Sequence, residues 1–93
     1  MIADFKCDET EKVFLDEFSR KLPQSIQPKA NTKLHILDNA VNLNDICIFS
    51  GNRLEKLHGD RKGQYSIRIN KQWRICFEWH EGNAYSVEIV DYH

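Results

Sequence analysis

A chain of 93 residues, 41% apolar and 29% charged, can close one hydrophobic core without disulfides or a metal and leaves no room for a second, so one domain over residues 1–93 is expected. Cys7, Cys47 and Cys76 are odd in number, widely spaced and form no Cys-x-x-Cys, which argues against a disulfide framework or a zinc site and for thiols in a reducing compartment. No apolar run approaches the roughly 20 residues of a membrane helix, and residues 1–6 carry an acid and no signal-peptide core, so a cytoplasmic protein is expected.

Residues 8–22 read as a first helix. Asp8 as N-cap with Glu11 three positions on suggests a capping box, and Val13, Phe14, Leu15, Phe18 and Leu22 form an apolar stripe before Pro23 stops it. Phe14 and Phe18 are expected in the core. A second helix, from about Ile26 or Pro28 to Ala40, carries Ala30, Leu34, Leu37 and Val41 at helical spacing, with His35 on its polar side. Asn42 to Asp45 suggests a short capped turn, and Ser50-Gly51-Asn52 a loop.

Three strands follow, over residues 64–70, 72–79 and 84–90. Each alternates, with Tyr65, Ile67, Ile69, Trp73, Ile75, Phe77, Trp79, Tyr85, Val87 and Ile89 on one face. The expected class is therefore α+β, an N-terminal helical hairpin packed on one face of a mainly antiparallel β-sheet. Opposed residues of an antiparallel pair share a face, so register can be chosen. A three-residue turn, Asn70-Lys71-Gln72, sets Ile69 against Trp73 and Arg68 against Arg74. The same test selects Glu81-Gly82-Asn83, pairing Trp79 with Tyr85 and Arg74 with Val90. Extended, this register brings Tyr92 beside Gln72 on the arginine face.

The net charge of −1 conceals an asymmetry. Residues 1–50 hold 6 basic and 8 acidic side chains, residues 51–80 hold 7 and 3, and residues 81–93 hold 3 acidic ones. Two of the basic residues, Arg68 and Arg74, would repel each other across an open sheet face unless an anion sat there or Glu78 or Glu88 neutralised them. A phosphodiester suits the guanidinium fork. Nearby, Tyr92, His93 and His58 supply proton-transfer groups. Metal-free RNA cleavage needs a base for the 2′-hydroxyl, cations for the crowded phosphorus and an acid for the leaving 5′-oxygen. No nucleotide-binding glycine fingerprint, nucleophile elbow or metal-ligand spacing competes, so no cofactor or metal is expected.

Gly51-Asn52-Arg53-Leu54-Glu55-Lys56-Leu57, Gly59-Asp60-Arg61, Tyr65-Ser66-Ile67-Arg68-Ile69-Asn70, Gln72-Trp73-Arg74 and the closing Asp91-Tyr92-His93 resemble the HigB branch of the RelE/ParE toxin superfamily over essentially the whole chain. The resemblance implies a small RelE-like α+β domain and a ribosome-dependent endoribonuclease that cuts messenger RNA. It also implies a HigA-type helix-turn-helix antitoxin as partner, with operator DNA bound only through that antitoxin. Carried over to this chain, it points to Arg74, Tyr92 and His93 as catalytic, with Asp91 in support and His58 as a candidate in the loop. Arg53, Lys56, Arg61, Lys62, Arg68 and Lys71 are the expected RNA-binding cations. The sequence departs from one branch of the family, which has lysine directly before Gly-Asp-Arg and histidine four residues before that glycine; here these are His58 and Glu55. Two other readings belong to different classes: a ParE-like toxin that binds DNA gyrase and cuts no RNA, and a plain RNA- or ribosome-binding module.

Overall fold

The computed structural model describes residues 1–47 and 53–91. The first helix, α1 (Asp8–Phe14), carries Asp8, Glu9 and Glu11 in its first turn, where carboxylates meet the positive end of the helix dipole. The anticipated capping box is not formed: Cys7 is the N-cap residue and no side chain caps the turn.

Nor does the helix reach residue 22. Asp16 adopts φ 66°, its N–H reaches the Val13 carbonyl, and the Glu17 N–H reaches back to Lys12. That is a Schellman ending, with aspartate in the left-handed position usually held by glycine. The following loop is pinned by Gln27, whose amide accepts the Ser19 N–H (3.1 Å) and donates to the Ser19 and Leu22 carbonyls (2.8 and 2.9 Å). Phe14 and Leu22 still pack on the core, but Leu15 is exposed and Phe18 is 60% exposed, so the expected core place of Phe18 is corrected.

After a 3-10 turn (Gln24–Ile26), α2 (Gln27–Asn39) holds Pro28 in its first turn and buries Ala30, Leu34 and Leu37 completely. It ends two residues before Val41, which therefore does not join that stripe: Ala40 is extended and buried, and Val41 is 75% exposed. Exposed His35 stacks on Phe14 with ring centroids 4.6 Å apart. The capped turn is present as α3 (Leu43–Cys47). Asn42 Oδ1 accepts the Asp45 N–H (3.2 Å) and Asp45 Oδ2 accepts the Asn42 N–H (3.1 Å). The loop expected at Ser50-Gly51-Asn52 lies outside the described residues.

The sheet has the order β1 (Glu55–Lys56), β2 (Gln64–Arg68), β3 (Trp73–His80), β4 (Asn83–Asp91), every neighbour antiparallel. The two-residue β1 was not anticipated. The first hairpin follows the expected register, with Ile67 opposite Ile75 and Arg68 opposite Arg74. Ile69 and Asn70 N–H groups both reach the Trp73 carbonyl, and Asn70 Oδ1 accepts the N–H groups of Gln72 and Trp73.

The second hairpin differs. Glu81 (φ 50°) and Gly82 (φ 81°) alone form the turn, setting His80 against Asn83 and Trp79 against Ala84. Two successive positive φ values mark the tight turn whose twist suits a hairpin. A β-bulge then restores the register. Phe77 faces both Ser86 and Val87, Ser86 has φ 53°, and beyond it Arg74 opposes Val90 as expected. Between turn and bulge the faces are exchanged, so Tyr85 shares the face of Glu78 and Ala84 takes the core position.

Val13, Ala30, Leu34, Leu37 and Ile46 meet Ile67, Ile69, Ile75, Phe77, Val87 and Ile89 in one core cluster between the helices and the sheet. The architecture is α+β, an N-terminal helical region on an antiparallel sheet. Among the described residues no helix is long and apolar enough to cross a membrane.

Candidate RNA-cleaving face

Strand alternation puts Ser66 and Arg68 of β2, Arg74 and Cys76 of β3, Glu88 and Val90 of β4 and Glu55 of β1 on the sheet face away from the core. This face is not open as expected. Arg74 is only 8% exposed. Its Nε donates to Ser66 Oγ at 2.7 Å, its Nη2 to the Arg53 carbonyl at 2.6 Å, and its Nη1 lies 3.5 Å from Glu55 Oε1. The guanidinium fork thus ties β1 and the chain at Arg53 to the middle of the sheet. Arg68, its cross-strand partner, is half-buried, and its side chain makes no hydrogen bond or ion pair among the described residues.

Of the two arginines, Arg74 is countered by Glu55, not by Glu78 or Glu88. Glu78 lies 3.4 Å from His80. Glu88 is engaged on both oxygens, by Arg61 Nη2 at 2.9 Å and by Lys6 Nζ at 3.7 Å.

Arg61 ends the 3-10 turn Gly59–Arg61, which Gly59 (φ 67°) and Gly63 (φ 92°) bracket in backbone conformations that favour glycine. Its Nη1 also donates to Gln64 Oε1 (3.1 Å), so the side chain spans from β2 to β4 and fastens the loop on the sheet face. It was expected to bind RNA; within the chain it secures the loop that presents exposed His58. Cys76 is completely buried on this face, and burial pushes its thiol above the ordinary range.

The other expected cations are on the surface. Arg53 (φ 46°), Lys56, Lys62 and Lys71 are all exposed. Asp91 is exposed opposite Trp73, and its Oδ2 accepts a hydrogen bond from Gln72 Nε2 at 3.1 Å. Tyr92 and His93 lie outside the described residues. Among the described residues, no three His, Cys, Asp or Glu side chains gather as a metal ion would require.

Two residues escaped sequence reasoning. Glu55 was read only as a departure from a family pattern, because the sequence showed no strand there. Lys33, 6% exposed on α2, has its ammonium pushed below the usual lysine range, first by burial and then by the charges of Lys29, Arg68 and Arg74. The signal for Lys33 was present: it falls between Ala30 and Leu34 on the apolar stripe, where a polar side chain is out of pattern.

An anchored arginine, a second without an anionic partner among the described residues, and a rim of exposed lysines suit a chain of phosphates. Residues 3–93 match the HigB-like toxin family, described as the RelE-like toxin of the type II toxin-antitoxin system HigB. The chain belongs to this family. It is 42% identical to toxin HigB-1 of Vibrio cholerae serotype O1 over 85 residues, 90% of either chain. It is 30% identical over 96 aligned residues to endoribonuclease HigB of Proteus vulgaris, with both chains covered in full. As a HigB-like toxin, it is one half of a toxin-antitoxin pair.

Proposed function

We propose that this HigB-like toxin is a metal-independent endoribonuclease that cuts messenger RNA on the ribosome and so arrests translation. The observation that carries the reading is Arg68 opposite Arg74, one half-buried without an anionic partner among the described residues and the other fixed by Ser66 and the Arg53 carbonyl. Like charges held across a strand pair cost stability, and a scissile phosphate is the anion that relieves them. The likeness to an endoribonuclease over the full chain supports the same reading.

In this reading Arg68, with Arg74 behind it, stabilises the negative charge that builds on the phosphorus centre; a single preorganised donor of this kind contributes about 10²–10³-fold in rate. Arg53, Lys56, Lys62 and Lys71 hold the flanking backbone through their charge, while Arg61 keeps the His58 loop in place. Tyr92 and His93, with Asp91 in support, are the proton-transfer groups proposed at the C-terminus, joined by His58. An imidazolium is suited to protonating the leaving 5′-oxygen. The partner proposed for neutralisation is a HigA-type helix-turn-helix antitoxin, through which alone operator DNA is bound.

The test is end-labelled messenger incubated with the purified toxin, with and without translating ribosomes. Cutting only in the presence of ribosomes supports the reading. Equal cutting of free message points to a general ribonuclease, and no cutting together with lost supercoiling points to gyrase.

A further inference from the structure

Resting on the endoribonuclease reading, we infer that Glu55 is the general base that takes the 2′-hydroxyl proton. Its carboxylate lies 3.5 Å from Arg74 Nη1 and its side chain is 55% exposed, whereas the arginine beside it is buried. Anchored guanidinium and accessible carboxylate therefore meet at the border of solvent. Glu55 opposes Ser66, and Arg68 follows Ser66 by two residues on the same face, about 7 Å along the strand. A phosphate held by Arg68 thus brings its 2′-oxygen within a side chain's reach of Glu55.

The other carboxylates described on this face are placed differently. Glu88 is gripped on both oxygens by Arg61 and Lys6 and is nearly buried. Glu78 lies four residues along β3 from Arg74, roughly 13 Å away, and faces His80.

The step balances without a metal. The Glu55 carboxylate accepts the proton, the 2′-oxygen forms its bond to phosphorus, and the bond from phosphorus to the 5′-oxygen breaks. An imidazolium, for which His58 is the described candidate, protonates the departing oxygen. The products are a 2′,3′-cyclic phosphate and a 5′-hydroxyl. Glu55 then returns its proton to the neutral imidazole through water. The site gains from this pairing because Glu55 becomes neutral as the proton arrives, so the charge it had balanced on Arg74 is turned toward the phosphorus as negative charge develops there.

The experiment compares the parent with Glu55→Gln and Glu55→His on translating ribosomes with end-labelled message, over a range of pH. Glu55→Gln keeps an acceptor for Arg74 but no base; its kcat is expected to fall about 10²–10⁴-fold with KM little changed, and the limb on which the parent loses rate at low pH is expected to vanish. Glu55→His is expected to restore cutting with that limb moved toward the imidazole range, about 6.5. The position of a limb is independent of the fraction of folded protein, so the histidine variant decides even if the glutamine variant folds poorly. The base assignment is overturned if Glu55→Gln cuts at the parent rate with the parent profile, or if Glu55→His leaves the limb unmoved. A parent that cuts nothing on ribosomes overturns the endoribonuclease reading instead.

Discussion

The hydroxyl of Thr10 accepts the backbone N–H of Ile89 at 2.9 Å, joining residues 79 apart in sequence. It continues a ladder begun by the N-terminal residues. Ala3 and Lys6 donate to the carbonyls of Ala84 and Val87, while the N–H groups of Ala84 and Val87 reach the carbonyls of Met1 and Asp4. Ser86, at the bulge, donates to the Asp4 carboxylate. A fully buried side chain from α1 thus stands in for the next strand residue. Thr10→Val keeps the shape and removes the acceptor, leaving a buried N–H unpaired. The expected loss is about 1–3 kcal/mol, read as a lower urea midpoint at unchanged slope; an unchanged midpoint would show that the bond is dispensable.

The Glu9 carboxyl is held below the ordinary carboxylate range, chiefly by the Ser19 hydroxyl at 2.7 Å, with Lys12 and Lys21 adding to it. A carboxyl whose folded pKa is depressed contributes stability that is complete above its ordinary value and disappears as pH falls through the folded one. Ser19→Ala is therefore expected to raise the Glu9 titration midpoint in an NMR pH series. If the curve does not move, the hydroxyl is not the cause.

Arg68 faces Arg74 across the strand pair, and its removal separates folding from function. Arg68→Gln is expected to stabilise the fold by roughly 0.2–1 kcal/mol, the usual scale of a cross-strand charge effect, while lowering message cutting about 10²–10³-fold. Thermal melting and the ribosome assay on one preparation test both signs together.

Thiol chemistry reports the burial of the arginine face. Cys47 is exposed, Cys7 is half-buried and Cys76 is completely buried with its thiol pushed up. With an aromatic disulfide reagent, Cys47 is expected to react first and Cys76 only on unfolding. Because the fold favours the protonated Cys76, its contribution is intact below the ordinary thiol range and is lost as pH rises through the raised value.

Legibility followed the reach of the forces involved. The Arg68 and Arg74 register could be read because alternating apolar residues over two strands permit few pairings, and the α2 stripe because Ala30, Leu34 and Leu37 repeat at 3.6-residue spacing. The end of α1 was not legible. Val13 to Leu22 keeps helical periodicity, and what breaks the helix is the left-handed turn at Asp16 together with Gln27, which comes from the next helix to bind the loop. The Ser86 bulge was hidden for the same reason, since its N–H is satisfied by Asp4. In the candidate site, the charge types were visible but their pairing was not. Glu55 reaches Arg74 through a two-residue strand too short to leave a pattern, and Arg61 reaches Glu88 from 27 residues away.

The N-terminal residues alongside β4 have a further effect, on how this protein can be approached. An uncovered sheet margin is a template to which another chain can add a strand. Here one margin is already taken by Ile2 and Phe5, which bridge in parallel to Ala84 and Val87, and the other is formed by the two residues of β1. Among the described residues, neither offers a visitor a long row of backbone groups. A neutralising partner is therefore expected to recognise side chains and surface shape, a fit specific to this sequence instead of to sheets in general.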